Sequence, residues 1–152
     1  MKAKIRTRIL KMAMFLGMFT IVFIAQGNNN KAFAKSKKYV YITSLVKTVN
    51  KKAAFGQCNK FVLKGKKLTI KASLKKAKSE NAYFDGRYKS LKYKKRTFKL
   101  AKGCKFYECY GEPGTKRVGR KRFIRSAKYY NGLGLLIFTN KKGKVYKIEI
   151  SV

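Results

Sequence analysis

Few side chains in this sequence could carry out covalent or acid–base chemistry: there are five carboxylates, three cysteines and no histidine. The carboxylates are Glu80, Asp85, Glu108, Glu112 and Glu149. A pair of carboxylates can act as general acid and general base when both are held at a fixed separation. Glu108 and Glu112 are the candidates for such a pair, but Glu108 falls in a predicted strand and Glu112 in a predicted turn. The pattern therefore does not favour paired-carboxylate catalysis.

The three cysteines, Cys58, Cys104 and Cys109, offer a second route to chemistry. A cysteine nucleophile usually has a histidine base, which this chain lacks. The dense positive charge could instead lower the pKa of a thiol, so a reactive thiol is the alternative to a structural one. Cys104 and Cys109 would face opposite sides of a regular strand and are poor disulfide partners, whereas Cys58 could pair with either. Three small buried thiols explain the cysteines at least as well.

Neither set of residues indicates a metal or a cofactor. The cysteine spacing does not match a zinc site, and Cys58 would bring the number of ligands only to three. The sequence therefore predicts a protein that is not an enzyme, with no catalytic residue, no metal site and no cofactor.

The remaining signal is positive charge interleaved with aromatic residues, with 40 Lys plus Arg against 5 Asp plus Glu. The candidate polyanion-binding residues are Lys67, Lys71, Arg87, Lys89, Lys92, Lys94, Lys95, Arg96, Lys99, Arg122 and Arg125, and the candidate aromatic contacts are Tyr83, Tyr88 and Tyr93. Such surfaces bind polyanions by displacing condensed counterions, and tyrosines can stack on bases or sugars. The alternative is a solvated coat that keeps the domain soluble and loosely held at an anionic envelope.

The N-terminal 34 residues have the composition of a secretory signal peptide. Five basic residues occur in the first eleven, Met12–Ala25 is uncharged and mostly apolar, and residues 32–34 form a small-x-small cleavage site. The apolar run is shorter than the roughly 20 residues that span a bilayer, which disfavours an uncleaved membrane anchor. Cleavage after Ala34 would leave residues 35–152 as one domain with 34 basic and five acidic residues, a formal charge of +29.

Two stretches at the start of this domain predict strands, the first because it is rich in β-branched and aromatic residues and the second because Leu68–Leu74 alternates apolar with polar or basic residues. Tyr39–Val49 is expected to be the first strand, with Tyr39 and Tyr41 on its outer face. Phe61–Leu74 is expected to be a hairpin or a kinked strand that breaks at Gly65. The side chains expected to face the core are Val40, Ile42, Val46, Leu68, Ile70, Ala72 and Leu74.

The segment that organises the domain is Thr97–Tyr110, whose period-2 pattern predicts a central strand that bends at Gly103. The basic, tyrosine-rich segment 75–96 precedes it. Asp85-Gly86 is a two-residue hairpin signal, so we expect segment 75–96 to be a projecting hairpin or a functional loop.

The C-terminal part adds a turn around Pro113, a helix at Arg120–Asn131, and strands at Gly134–Thr139 and Lys144–Val152. Tyr146, Ile148 and Ile150 are expected on one face of the last strand. This order, with a helix between the third and fourth strands, is that of the OB-fold. We therefore predict a mainly β fold with one helix, a small five-stranded OB-like barrel preceded by a signal-peptide helix. A sandwich of the same elements is the alternative.

Four runs of this chain carry a family resemblance: Lys64–Ile70, Thr97–Tyr107, Asn131–Gly134 and Gly143–Ile148. Together they resemble small, secreted, uncharacterised proteins of Gram-positive bacteria. The shared motifs are turn glycines and strand alternation, so the resemblance implies secretion and a β-rich domain and brings no activity with it.

The function predicted from these features is a secreted, strongly basic, non-catalytic binding protein that associates with anionic envelope polymers or surfaces. The alternative is an extracellular nucleic-acid-binding OB-like module. The expected partners are wall polymers, nucleic acid or an anionic membrane surface, with no small-molecule substrate, and the protein is expected to be a monomer, extracellular and held at the cell wall.

Overall fold

The computed structural model describes residues 38–50, 52–111, 114–129 and 132–151. The predicted signal peptide, its cleavage site after Ala34, Glu112 and the Pro113 turn lie outside the described residues. So does the predicted end of the helix at Asn131. The strands are β1 (Tyr39–Leu45), β2 (Gln57–Lys64), β3 (Lys67–Ala77), β4 (Tyr88–Cys109), β5 (Thr115–Val118), β6 (Gly134–Thr139) and β7 (Val145–Ser151), and the helices are α1 (Glu80–Phe84) and α2 (Arg120–Tyr129).

Five of the strands form a closed cycle of hydrogen-bonded neighbours. β1 pairs antiparallel with β3 and with β6, and β6 pairs antiparallel with β7. β7 runs parallel to β4, and β4 pairs antiparallel with β3, which completes the cycle. β2 and β5 are added at the sides, on β3 and β4 respectively. The mainly β prediction is confirmed, but the described sheet has seven strands where five were predicted.

Both faces of β1 are buried, which explains why its sequence is apolar almost throughout. Val40 and Ile42 belong to a small cluster with Ala77, Ala82 and Phe138. Leu45 and, in part, Tyr41 pack instead in the main core. The expectation that Tyr41 lies on an outer face was therefore wrong: its ring packs edge-on against Phe98, 5.2 Å between centroids.

The main core fills the space inside the cycle of strands. Leu68, Ile70, Ala72 and Leu74 are all fully buried, as their alternation predicted. Phe123 of α2 is also fully buried, and its ring lies 5.2 Å from Phe106 and 6.0 Å from Phe61 between centroids. Helix α2 thus contributes the Phe123 side chain to the main core.

Helix α1 is present where the sequence predicted a two-residue turn at Asp85-Gly86. The Ser79 side chain accepts a hydrogen bond from the Ala82 amide and caps the helix, and Ala82 is buried in the smaller cluster. A serine cap and a buried helical face outweigh the local turn preference. Segment 75–96 is therefore a hairpin, one of the two predicted alternatives, but its strands are joined through α1 and not by a two-residue turn: the end of β3 pairs antiparallel with the start of β4, with Lys75 opposite Ser90.

The central strand is longer than predicted, because β4 begins at Tyr88 and pairs with β3 along most of its length. Gly103 has a φ of +74°, which favours glycine. The pairing between β4 and β7 shifts register between Leu100 and Lys105, on either side of this glycine. The backbone irregularity predicted at Gly103 is therefore present.

The last strand differs from its predicted pattern at one position. Ile148 and Ile150 are buried as expected, but Tyr146 is 41% exposed and Val145 is buried in its place. The register between β6 and β7 shifts next to Thr139, opposite this end of the strand. A bulge of this kind reverses which residues face the core, and alternation alone does not reveal it.

Gly56 lies where the segment after β1 passes close to the backbone of the sheet. A Cβ there would come within 2.8 Å of the Ser73 carbonyl oxygen and 3.0 Å of the Ile42 carbonyl oxygen. Because backbone atoms cannot move aside cheaply, we expect Gly56→Ala to lower the free energy of unfolding by about 2 kcal/mol. Denaturant unfolding measures this change.

Gly119→Ala is the matched control for Gly56→Ala, because a Cβ on Gly119 would meet no heavy atom within 4 Å. Its backbone does not have a positive φ either. We expect Gly119→Ala to change stability by less than about 0.5 kcal/mol. Equal stability of the two variants would contradict the close approach at Gly56.

Candidate polyanion-binding surface

The outer face of β2, β3 and β4 carries two rows of lysines that lie directly opposite one another across the strands. The lysine array, as we call these six residues, comprises Lys60, Lys71 and Lys95 in one row and Lys64, Lys67 and Lys99 in the other. All six side chains are exposed. The sequence singled out four of them and missed Lys60 and Lys64, because their place beside Lys71 and Lys67 follows only from the pairing of β2 with β3.

Standard strand geometry sets the dimensions of the array. Neighbouring lysines within a row lie about 5 Å apart at the backbone, and the two rows are separated by about 13 Å along the strands. Val62, Thr69 and Thr97 form the row between them, and the hydroxyl oxygens of the two threonines lie 3.2 Å apart. A chain of anionic groups could follow either row or cross from one to the other.

The array has no neutralising carboxylate. None of the three ion pairs in the described part of the chain involves an array lysine: they join Asp85 to Arg87, Glu108 to Arg122 and Glu149 to Lys147. Like charges directly opposite each other on neighbouring strands destabilise a sheet. An anion bound over the rows would relieve this repulsion, and the relief would add to the free energy of binding.

The predicted aromatic contacts are placed differently from one another. Tyr93 is half-buried, its hydroxyl donates to Asn59 Oδ1 at 2.5 Å, and Lys71 Nζ lies 5.6 Å from its ring centroid. Tyr83 is half-buried beside the ring of Tyr88, 5.4 Å between centroids. Tyr88 is 40% exposed. Tyr88 is therefore the predicted aromatic contact with the most accessible ring.

Two arginines of the predicted surface are committed to contacts within the domain. Arg96 is half-buried, and its guanidinium donates to the carbonyl oxygens of Ala72 at 2.5 Å and Lys92 at 2.6 Å. Burial lowers the pKa of Arg96, with Tyr41 opposing the shift. Arg122 of α2 binds Glu108, as described below. The other predicted basic residues outside the array, which are Arg87, Lys89, Lys92, Lys94 and Arg125, are exposed.

The one buried carboxylate in the described residues, Glu108, joins β4 to α2. It is 1% exposed and accepts hydrogen bonds from the hydroxyl of Ser126 at 2.5 Å, from Arg122 Nε at 3.0 Å and from the hydroxyl of Tyr110. Burial raises the pKa of Glu108, but the three hydrogen bonds and the charge of Arg122 outweigh it and leave the pKa lowered. The same carboxylate raises the pKa of both Tyr110 and Arg122 through its hydrogen bonds.

The sequence did not predict this cluster. Glu108 lies two residues from Phe106 and so on the same, core-facing side of the strand, but Arg122 and Ser126 are 14 and 18 residues away and no local pattern identifies them as its partners. The partners of Glu108 are the side chains of Ser126, Tyr110 and Arg122, which bind both carboxylate oxygens. The arrangement fastens α2 to the sheet.

The three cysteines are free thiols, and for two of them the alternative of a reactive thiol with a lowered pKa is contradicted. Burial raises the pKa of Cys58 and of Cys104 to about 11 in each case. For Cys104 the opposing charge of Arg120 is the smaller influence. Such thiols are poor nucleophiles at neutral pH. Within the described ranges, no three His, Cys, Asp or Glu side chains come together to hold a metal ion.

No known protein-family model, curated protein or solved structure matches this chain. Among the described residues there is also no helix long and apolar enough to cross a membrane.

Proposed function

We propose that this chain is a secreted, non-catalytic binding protein that associates with anionic polymers of the cell envelope through the lysine array. One observation carries the proposal: six exposed lysines lie opposite one another in two rows with no carboxylate among them. A flexible polyol-phosphate chain presents repeated anionic groups without a fixed duplex geometry, and point charges on flexible stems suit it.

The order of the strands supports an OB-like barrel as the finer description of the fold. The cycle β1, β3, β4, β7, β6 has its helix α2 between β4 and β6 and closes with the parallel pair of β4 and β7. OB-folds bind extended polymers on the face of their second and third strands. These correspond to β3 and β4, which carry four of the six array lysines.

The row between the lysines favours a polymer that does not stack over one that does. Single-stranded nucleic acids bind proteins through aromatic platforms as well as charge. Here the middle row is Val62, Thr69 and Thr97, and the nearby ring of Tyr93 is half-buried with Lys71 beside it. Nucleic acid is therefore the second candidate, and it is separated from the first by experiment.

The test is a binding titration of the purified protein with three probes: a polyglycerol-phosphate chain, heparin and an oligothymidylate of matched charge. Because about six lysines would displace counterions, raising NaCl from about 50 to about 200 mM is expected to weaken polyglycerol-phosphate binding about 300-fold, with the slope of a flexible single-stranded polyanion. Binding that does not change with salt would overturn the proposal. Tighter binding of the oligothymidylate at every salt concentration would favour the nucleic-acid alternative.

A further inference from the structure

A second cationic feature lies at the junction of α1 with β3 and β4, apart from the lysine array. It is a cavity of about 380 Å³, and the side chains that matter in its wall are Tyr39, Lys76, Lys78, Arg87, Tyr88 and Lys89. Its volume falls in the range of small-ligand sites, about 300–1,000 Å³. Four of these six side chains are cations.

One of the four cations, Lys76, is held in position by contacts within the domain. Lys76 Nζ lies 3.7 Å from the centroid of the Tyr39 ring and 5.8 Å from that of Tyr41. Lys76 also lies directly opposite Lys89 across β3 and β4, so like charges face each other in the wall. Contacts with the rings reduce the entropy that Lys76 would lose on binding an anion, and an anion between the lysines would relieve their repulsion.

Arg87, another of the four cations, already forms an ion pair. Its guanidinium donates to Asp85 Oδ2 at 2.5 Å, and this is the one ion pair that any of the four cations makes in the described part of the chain. Arg87 is therefore less able to form the two-pronged contact with which arginine selects carboxylates. The unpaired charges are lysines, which bind phosphate as point charges.

We propose that this cavity binds the phosphate group of a phosphomonoester. With Asp85 included, the wall carries a net charge of +3, and its attraction to a dianion is twice that to a singly charged phosphodiester or carboxylate. The exposed ring of Tyr88 and the cavity volume leave room for a small organic group attached to the phosphate. The proposal does not depend on the lysine array, because no array lysine lines the cavity.

The test is a titration of the full chain with glycerol 3-phosphate. Binding is measured by NMR from the shifts of the backbone amide resonances of α1 and the start of β4. Lys78→Gln/Lys89→Gln is the diagnostic variant, because both side chains are exposed and line the cavity. We expect it to weaken binding about tenfold. Lys141→Gln/Lys142→Gln removes the same charge from the exposed turn after β6 and is expected to change binding less than about twofold.

Two further measurements separate a built site from general attraction to a basic protein. Asp85→Asn frees Arg87 and is expected to strengthen binding several-fold, the opposite direction to the lysine variant. Binding of the monoester is expected to strengthen as pH rises through the second pKa of phosphate, about 6, whereas dimethyl phosphate, a diester, should bind weakly at every pH. Vesicles that contain phosphatidic acid test whether the same group is accepted on a lipid.

Equal weakening in the two double-lysine variants would overturn the proposal, and so would equal binding of monoester and diester. Neither result would bear on the envelope-polymer proposal, which is tested with long chains and with substitutions in the array. Conversely, loss of polymer binding from array variants that still bind glycerol 3-phosphate would separate the two surfaces.

Discussion

Replacing Lys67, Lys71, Lys95 and Lys99 together by glutamine is expected to weaken binding of polyglycerol phosphate by about three orders of magnitude at low salt. Each lysine close to an anionic surface contributes about 1 kcal/mol, and about 1.4 kcal/mol corresponds to a factor of ten in affinity. The dependence of log affinity on log salt is expected to become shallower as well, because fewer counterions are displaced. Titrations of variant and parent protein across NaCl concentration measure both changes.

The same variant is expected to be more stable than the parent, which distinguishes loss of binding from misfolding. Lys67 faces Lys99 and Lys71 faces Lys95 across β3 and β4, and removing opposed like charges relieves a destabilising interaction. The matched control, which removes the same charge from exposed positions outside the array, is Lys116→Gln/Lys121→Gln/Lys128→Gln/Lys141→Gln. If the control weakened binding as much as the array variant, total charge and not the array would account for the affinity.

Glu108→Gln is expected to lower the free energy of unfolding by about 2 kcal/mol at pH 7. The carboxylate is buried and accepts from Ser126, Tyr110 and Arg122, and the neutral amide cannot hold the guanidinium of Arg122 as strongly. Arg122 is half exposed and can be solvated, so most of the expected cost comes from the buried hydrogen bonds that the amide cannot accept in the same way. Denaturant unfolding of the variant and the parent measures the difference.

The pH dependence of this effect follows from the direction of the pKa shift. The pKa of Glu108 is lower in the folded protein than its ordinary value of 4.5. The unfolded chain therefore takes up the proton first, and the stabilisation by Glu108 is fully present above about pH 5 and is lost as pH falls through the folded pKa. We expect the stability difference between parent and Glu108→Gln to shrink as pH falls from 5 to 2.

Asp85→Asn is the control for Glu108→Gln, because Asp85 is an exposed carboxylate that also pairs with an arginine. Exposed ion pairs contribute little to stability, so this variant is expected to unfold close to the parent at every pH. A stability difference for Glu108→Gln that stayed constant down to pH 2 would show that the charge of Glu108 is not what fastens α2.

The sequence predicted those parts of the fold whose signals are local. Alternation identified the buried face of β3 from Leu68 to Leu74, and the amphipathic stripe located α2 with Phe123 inward. It did not predict α1, because five residues with a serine cap form a helix only when Ala82 has a core to pack against. β5 was not predicted either, since four residues form a strand only beside the partner β4.

The sequence predicted most of the basic residues of the candidate surface, but it did not predict which of them lie opposite one another in the sheet. Exposed lysines at alternate positions of β3 and β4 were apparent, but their facing pairs depend on a register that is set by the β-bulge between Ala72 and Leu74 and by the pairing with β2. Arg96 and Arg122 show the converse. Their charge suggested a binding role, whereas the Ala72 carbonyl that binds Arg96 and the Glu108 carboxylate that binds Arg122 lie on other elements of the fold.

The cycle of strands has a consequence for how the chain reaches its folded state. β7, the last strand of the described residues, lies between β6 and β4, so until it pairs both neighbours present open edges. The pairing of β1 with β6 joins residues as distant as Tyr39 and Thr139, and that of β7 with β4 joins Leu100 to Val145, so we expect closure of the cycle to be slow. Throughout that interval the high positive charge repels other copies of the chain. We therefore expect the positive charge to slow aggregation of the unfinished sheet.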